Sequence, residues 1–110
     1  MGLHLIVDGY GGDPVKLQDA ALLERFLDGY PAVLGMNKIA EPQVHTYTGE
    51  KPEDWGLSGF VLIAESHISI HTFPERESVN IDIFSCRDFD PQHALEQVKQ
   101  TFGLSSIRRW

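Results

Sequence analysis

The residues of this chain whose types suit chemistry gather around one short run. Glu65-Ser66-His67 sets a carboxylate, a hydroxyl and an imidazole side by side, with His71 close behind and the only cysteine, Cys86, further on. A hydroxyl near an imidazole suits nucleophilic or proton-transfer chemistry, and a lone cysteine adds a third catalytic residue type. Each also has an ordinary role: Ser66 as a turn residue, His71 as a histidine satisfied against a partner surface, Cys86 as a small buried hydrophobe. A serine hydrolase is disfavoured. Its nucleophile stands in Gly-x-Ser-x-Gly between a strand and a helix, whereas Glu65-Ser66-His67 joins two extended segments and the run around Ser58 does not complete the pattern. His67 and His71 would share a helix face and suit zinc. The local pattern is β, however, and four residues span about 13 Å of strand, so one ion does not take both. His4, His45 and His93 have no local partner, and no metal site is predicted.

The elements that must position these residues follow from hydrophobic period and turn chemistry. Residues 60–64 carry no polar side chain and read as a strand covered on both faces. After Ser66, Ile68 and Ile70 alternate with Ser69 and His71 in a strand over 68–73 with one buried face. Pro74-Glu75-Arg76-Glu77 turns the chain into a partner strand over 79–85, where Val79, Ile81 and Ile83 alternate with Asn80, Asp82 and Phe84. Cys86 lies just past its end. If those two strands pair, the serine, histidine and cysteine fall on elements that touch.

Elsewhere, residues 3–7 form a first strand that ends in the glycine-rich run Asp8 to Gly12. Asp13-Pro14 and Asp90-Pro91 each supply an N-cap followed by proline at the first helical position. They open amphipathic helices over 14–28, stopped at Gly29, and over 91–102, stopped at Gly103. Residues 30–42 show no clear period, 43–47 read as a strand, 48–54 as a polar loop and 105–110 as a last edge strand. The expected fold is α+β: an antiparallel sheet with the two helices packed on one face, a two-layer sandwich. Its other face carries Ser69, His71 and Phe84, too polar for a core and too aromatic for plain solvent, so it is expected to meet a second copy or line the site.

At 110 residues with 42% hydrophobic content, one domain spanning 1–110 is expected. A formal charge of -7 argues against a nucleic-acid or anionic-membrane surface. One cysteine excludes an internal disulfide. The N-terminal run is too short and lacks the basic residues of a signal peptide, and no run approaches membrane-spanning length, so the cytoplasm is the expected compartment.

Gly56-Leu57-Ser58-Gly59, the apolar strand, Glu65-Ser66-His67, Ile70-His71-Thr72-Phe73-Pro74-Glu75 and Ile81-Asp82-Ile83-Phe84-Ser85-Cys86 together resemble the short prokaryotic S-adenosylmethionine decarboxylase proenzymes, as does His4-Leu5-Ile6-Val7-Asp8. The resemblance is continuous from about Gly56 to Phe102. It implies self-cleavage between Glu65 and Ser66 into a β fragment, 1–65, and an α fragment, 66–110. Ser66 would become a pyruvoyl group, the cofactor, which forms a Schiff base with the substrate amine. Ser58 and His71 match positions that assist processing, His71 by proton transfer, and Cys86 matches the proton donor in decarboxylation. The resemblance further implies a homodimer of processed protomers and a role in spermidine biosynthesis.

For the substrate, Phe73 falls at the aromatic position before Pro-Glu, Glu75 suits ribose hydroxyls, and Tyr47 or Trp55 is the second aromatic. The loop from Thr48 to Trp55 is longer than the corresponding connection in the family. A pyruvoyl-dependent decarboxylase of ornithine or arginine would keep Ser66, His71 and Cys86 and change this loop. A non-catalytic relative that binds a nucleoside or modulates a partner enzyme is the alternative from another class, with little physical reason to retain the whole set.

Overall fold

A computed structural model describes residues 3–109. The elements are β1 (Leu3–Tyr10), α1 (Pro14–Leu17), α2 (Ala20–Val33), β2 (Gln43–Tyr47), β3 (Gly56–Ile63), β4 (Ser66–Phe73), β5 (Ser78–Ser85), α3 (Pro91–Phe102) and β6 (Ser106–Arg109), with 3-10 turns at Pro52–Asp54 and Pro74–Arg76. The strands form one sheet in the order β2-β3-β4-β5-β1-β6, and every paired strand runs antiparallel. This is the α+β sandwich expected from the alternation.

The period of two decides which side chains meet. Leu5, Val7, Val61, Ile63, Ile68, Ile70, Val79, Ile81 and Ile83 are buried on the inner face beneath Leu23, Phe26, Leu27, Leu95, Val98 and Phe102 of the helices. Phe26 stacks on Tyr30 at 4.4 Å and meets Phe102 edge-on at 5.2 Å. The Tyr30 hydroxyl donates to the Ala94 carbonyl at 2.7 Å, joining α2 to α3 through a buried bond. Thr72, with Ser85, is a polar member of this face. Its Oγ1 donates to the Leu17 carbonyl at 2.8 Å and accepts the Leu57 N–H at 3.0 Å, so one hydroxyl ties α1, β3 and β4 together.

Several boundaries differ from the sequence reading. The helix expected over 14–28 is two helices, because the Asp19 carboxylate caps the Leu22 N–H at 3.0 Å and restarts the helix after a break. Gly29 does not end it. α2 runs to Val33 and closes at Gly35, whose φ of 77° lets the Gly35 N–H bond the Ala32 carbonyl and the Met36 N–H bond the Pro31 carbonyl. That pair of bonds is the Schellman arrangement, with Met36 buried beyond it. Three helices, not two, therefore cover the sheet. β1 continues through Gly9 because an ideal Cβ there would stand 2.5 Å from Leu104 Cδ1: the glycine permits close packing rather than a turn. β3 is not covered on both faces within one chain, since Val61 and Ile63 are buried while Phe60 and Leu62 are exposed. The tail forms β6 over Ser106–Arg109, and Trp110 lies outside the described residues.

Candidate functional site

Ile63 pairs with Ser66, so Ala64 and Glu65 alone make the β3–β4 turn. Such a tight turn needs a left-handed residue, and Glu65 supplies it with φ 59°, a conformation that costs a side-chain-bearing residue about 1–2 kcal/mol. The strand leading into the turn is anchored. The Ile39 N–H bonds the Leu62 carbonyl at 3.0 Å and the Ala64 N–H bonds the Asn37 carbonyl at 3.2 Å. Lys38, between them, is held by Asp28 and Glu41, and its hydrogen bonds to those carboxylates raise its pKa. On the other side of the turn, Ser66 Oγ accepts the Cys86 N–H at 3.1 Å. Ser66 is half-buried and the Cys86 thiol is exposed. The residues expected at a cleavage point thus meet where β4 begins and β5 ends.

Ser58 and His71 form a second cluster. They are directly opposed on β3 and β4, and Ser58 Oγ lies 2.8 Å from His71 Nδ1. With Nδ1 engaged, Nε2 is the nitrogen open to proton exchange. Two glycines make this pairing possible. An ideal Cβ at Gly56 would lie 1.8 Å from the Thr72 carbonyl oxygen, and one at Gly59 would lie 2.9 Å from Leu27 Cδ1, so the Gly-Leu-Ser-Gly run lets β3 sit tightly beside β4 and under α2.

The two clusters are not together within one chain. Ser66 shares parity with the buried Ile68 and Ile70, whereas His71 stands on the outer face with His67, Ser69 and Phe73. Five residues of strand separate Ser66 from His71 by roughly 16 Å, far beyond a hydrogen bond. Pairing of β4 with β5 does bring Ser66 to Cys86, but His71 faces Asn80 instead.

The outer face also carries a cluster that local sequence reading missed. His4 Nε2 lies 2.6 Å from Asp82 Oδ1, His67 Nε2 lies 3.9 Å from the same oxygen, and Phe84 packs between the two imidazoles with ring centroids 5.7 and 5.8 Å away. His4 pairs with a residue far along the chain, through β1–β5 register, so only the parities of both strands could have signalled it.

The four side chains expected to bind substrate line two neighbouring cavities. One, of about 300 Å³, is walled by Tyr47, Asp54, Gly56, Ser58, His71, Thr72 and Phe73. The other, of about 610 Å³, includes Tyr47, Trp55, Leu57, Glu75 and Glu77. Tyr47 borders both; Phe73 lies beside Ser58 and His71, while Trp55 and Glu75 belong to the larger cavity. Arg76, which the sequence reading passed over, stands with its guanidinium carbon 5.7 Å from the Phe73 ring centroid and donates to Asp54 at 2.6 Å.

Comparison with known proteins finds relatives over nearly the whole chain. A profile of the S-adenosylmethionine decarboxylase family matches residues 3–109. An S-adenosylmethionine decarboxylase proenzyme of Geobacillus kaustophilus is 36% identical over 107 residues, covering 96% of this chain and 81% of the relative. One from Aquifex aeolicus is 36% identical over 88 residues, covering 80% of this chain and 61% of the relative. The crystal structure of the adenosylmethionine decarboxylase from Aquifex aeolicus superposes with a TM-score of 0.77 at 29% identity, covering 100% of this chain and 87% of that one. With the profile matching nearly the whole chain, this protein belongs to the S-adenosylmethionine decarboxylase family.

Proposed function

We propose that this chain is a proenzyme that cuts itself between Glu65 and Ser66, turns Ser66 into a pyruvoyl group and decarboxylates S-adenosylmethionine, the substrate in the names of its relatives. The observation that carries the reading is the turn itself. The residue whose carbonyl must be attacked is the one in the left-handed conformation, and the hydroxyl beside it is held by a backbone N–H. In processing, Ser66 Oγ adds to the Glu65 carbonyl carbon and the peptide C–N bond breaks, so an ester replaces the amide. Breaking that bond relieves the backbone strain at Glu65. Removal of the α-proton of residue 66 expels the Glu65 carboxylate, a proton transfer assigned to His71 with Ser58 fixing its Nδ1. The remaining dehydroalanine takes up water and releases ammonia, leaving a keto group at residue 66.

The residues fit such a group, because residue 66 lies against Cys86, whose backbone N–H would be left as a donor once Ser66 Oγ departs with Glu65. The pyruvoyl carbonyl supplies the electron sink that ordinary side chains lack. Around it, the Cys86 thiol delivers a proton to the substrate α-carbon. Phe73, with Tyr47 or Trp55, offers aromatic faces to the adenine and sulfonium, and Glu75 accepts from ribose hydroxyls. The product would serve as the aminopropyl donor for spermidine, and the cytoplasm is the setting this reading implies.

A second copy is part of the reading. Since Ser66 and Cys86 lie some 16 Å from Ser58 and His71 along β4, we infer that His71 and Ser58 of one protomer serve Ser66 of its partner. The exposed Phe60, Leu62 and Phe84 give the outer face the apolar area such pairing needs. Intact-mass measurement should find fragments 1–65 and 66–110 in the wild type and an uncut chain in Ser66→Ala. A wild-type chain that stays whole would overturn the reading. Co-expressing Ser66→Ala with His71→Ala should restore cleavage of about half of the His71→Ala chains, the share expected in mixed dimers. No cleavage in the mixture would place both clusters' work within one chain.

A further inference from the structure

We propose that Arg76 and Asp54 are positioning residues for the substrate: their ion pair holds the 48–55 segment and the Phe73 ring in fixed relation across the mouth of the smaller cavity. This rests on the decarboxylase reading. Phe73 and Asp54 both line the cavity that contains Ser58 and His71, while Arg76 stands behind them. Phe73 ends β4, and the 3-10 turn Pro74–Arg76 that follows brings the guanidinium back over the Phe73 ring, its carbon 5.7 Å from the centroid. Glu77, left-handed at φ 53°, ends that turn, and its N–H bonds the Pro74 carbonyl at 3.1 Å.

From this position Arg76 Nη2 donates to Asp54 Oδ1 at 2.6 Å. Asp54 is itself set by the turn Pro52–Asp54, in which the Asp54 N–H bonds the Lys51 carbonyl and the Trp55 N–H bonds the Pro52 carbonyl. The Trp55 indole N–H, bonded to the Gly49 carbonyl at 2.6 Å, folds the segment on itself. One arginine therefore does two things at once. It covers one face of the Phe73 ring, leaving the opposite face as the stacking surface, and it ties down the loop that carries Trp55. A ring and a loop held before the ligand arrives bind it with less ordering cost. The same pair would add nothing to a step made only in the transition state, so the effect belongs in KM rather than in kcat. Arg76 and Asp54 are about half exposed, with 53% and 43% of their side-chain area open, so the effect is modest and weakens with salt.

The test compares Arg76→Ala, Asp54→Asn and the exchanged pair Asp54→Arg/Arg76→Asp. In the processed wild type and variants, each single substitution should raise KM for S-adenosylmethionine about three- to tenfold, with kcat within about twofold. The exchanged pair should recover part of the loss. Independently of activity, amide hydrogen exchange at Asp54 and Trp55 should quicken by a similar factor in both single variants. Unchanged exchange at both amides, or an active enzyme whose KM does not move, would overturn the proposal. An inactive wild type with faster exchange in the variants would count against the decarboxylase reading and leave the loop restraint standing.

Discussion

The two faces of the sheet are built from the same strands and follow different rules. Along β4, Ile68, Ile70 and Thr72 point inward and are almost wholly buried, while His67, Ser69, His71 and Phe73 alternate with them on the outer side. Inside, the side chains are largely apolar, the sheet's two buried polar groups, Thr72 and Ser85, have hydrogen-bond partners within the chain, and three helices complete the cover. Outside, imidazoles, hydroxyls, carboxylates and large apolar groups share the surface, and Phe60, Leu62 and Phe84 are left open. The inner face secures the fold. The outer face keeps its imidazoles and hydroxyls on a rigid platform without depending on them for stability.

That separation predicts a graded set of effects, best measured by denaturant unfolding in the uncut Ser66→Ala background, so that cleavage does not intrude. The largest belongs to the inner face. Ile70→Ala or Ile81→Ala removes a buried side chain from between sheet and helices, and each should cost about 2–5 kcal/mol. A loss no larger than that of an outer-face residue would break the comparison.

Tyr30→Phe should come next, at about 0.5–1.5 kcal/mol, because it removes the buried hydroxyl's bond to the Ala94 carbonyl. Burial also pushes the Tyr30 pKa up, well above its ordinary value. The neutral phenol is favoured by folding, so its contribution is complete below about pH 10 and declines as the pH rises above that value toward the folded-state pKa. Unfolding followed into the alkaline range should show this decline in Ser66→Ala, with the part due to Tyr30 missing from the Tyr30→Phe double variant.

The smallest effect on stability is expected outside. Leu62→Ser, at a side chain 43% exposed in one chain, should change unfolding of the dilute monomer by no more than about 0.5 kcal/mol. Sedimentation of the same variant should show weaker self-association. If association is unchanged while monomer stability falls by several kcal/mol, the outer face is core after all and the distinction between the faces fails.

Much of the fold was legible because it depends on local signals. The alternation in residues 68–73 and 79–85 announced two half-buried strands, and Asp13-Pro14 and Asp90-Pro91 marked helix starts where each aspartate does cap backbone N–H groups. Helix ends were less legible. Gly29 and Gly35 look alike in sequence, yet only Gly35 adopts the left-handed conformation that a helix end uses. The Asp19 cap was hidden because the apolar spacing continues past the break.

The sequence by itself determined the chemical inventory: which residue carries the hydroxyl, which the imidazole and thiol, and which parity each has on its strand. Those properties are local, set by side-chain type and the two-residue repeat of a strand. Only the tertiary structure decided who meets whom. It joined Ser66 to the Cys86 backbone, Ser58 to His71, His4 to Asp82 and Arg76 to Asp54, and it kept the first two pairs apart. Strand order and register depend on contacts between distant segments, and so does the distance from Ser66 to His71, which made a compact cluster in the sequence into two separated pairs of residues.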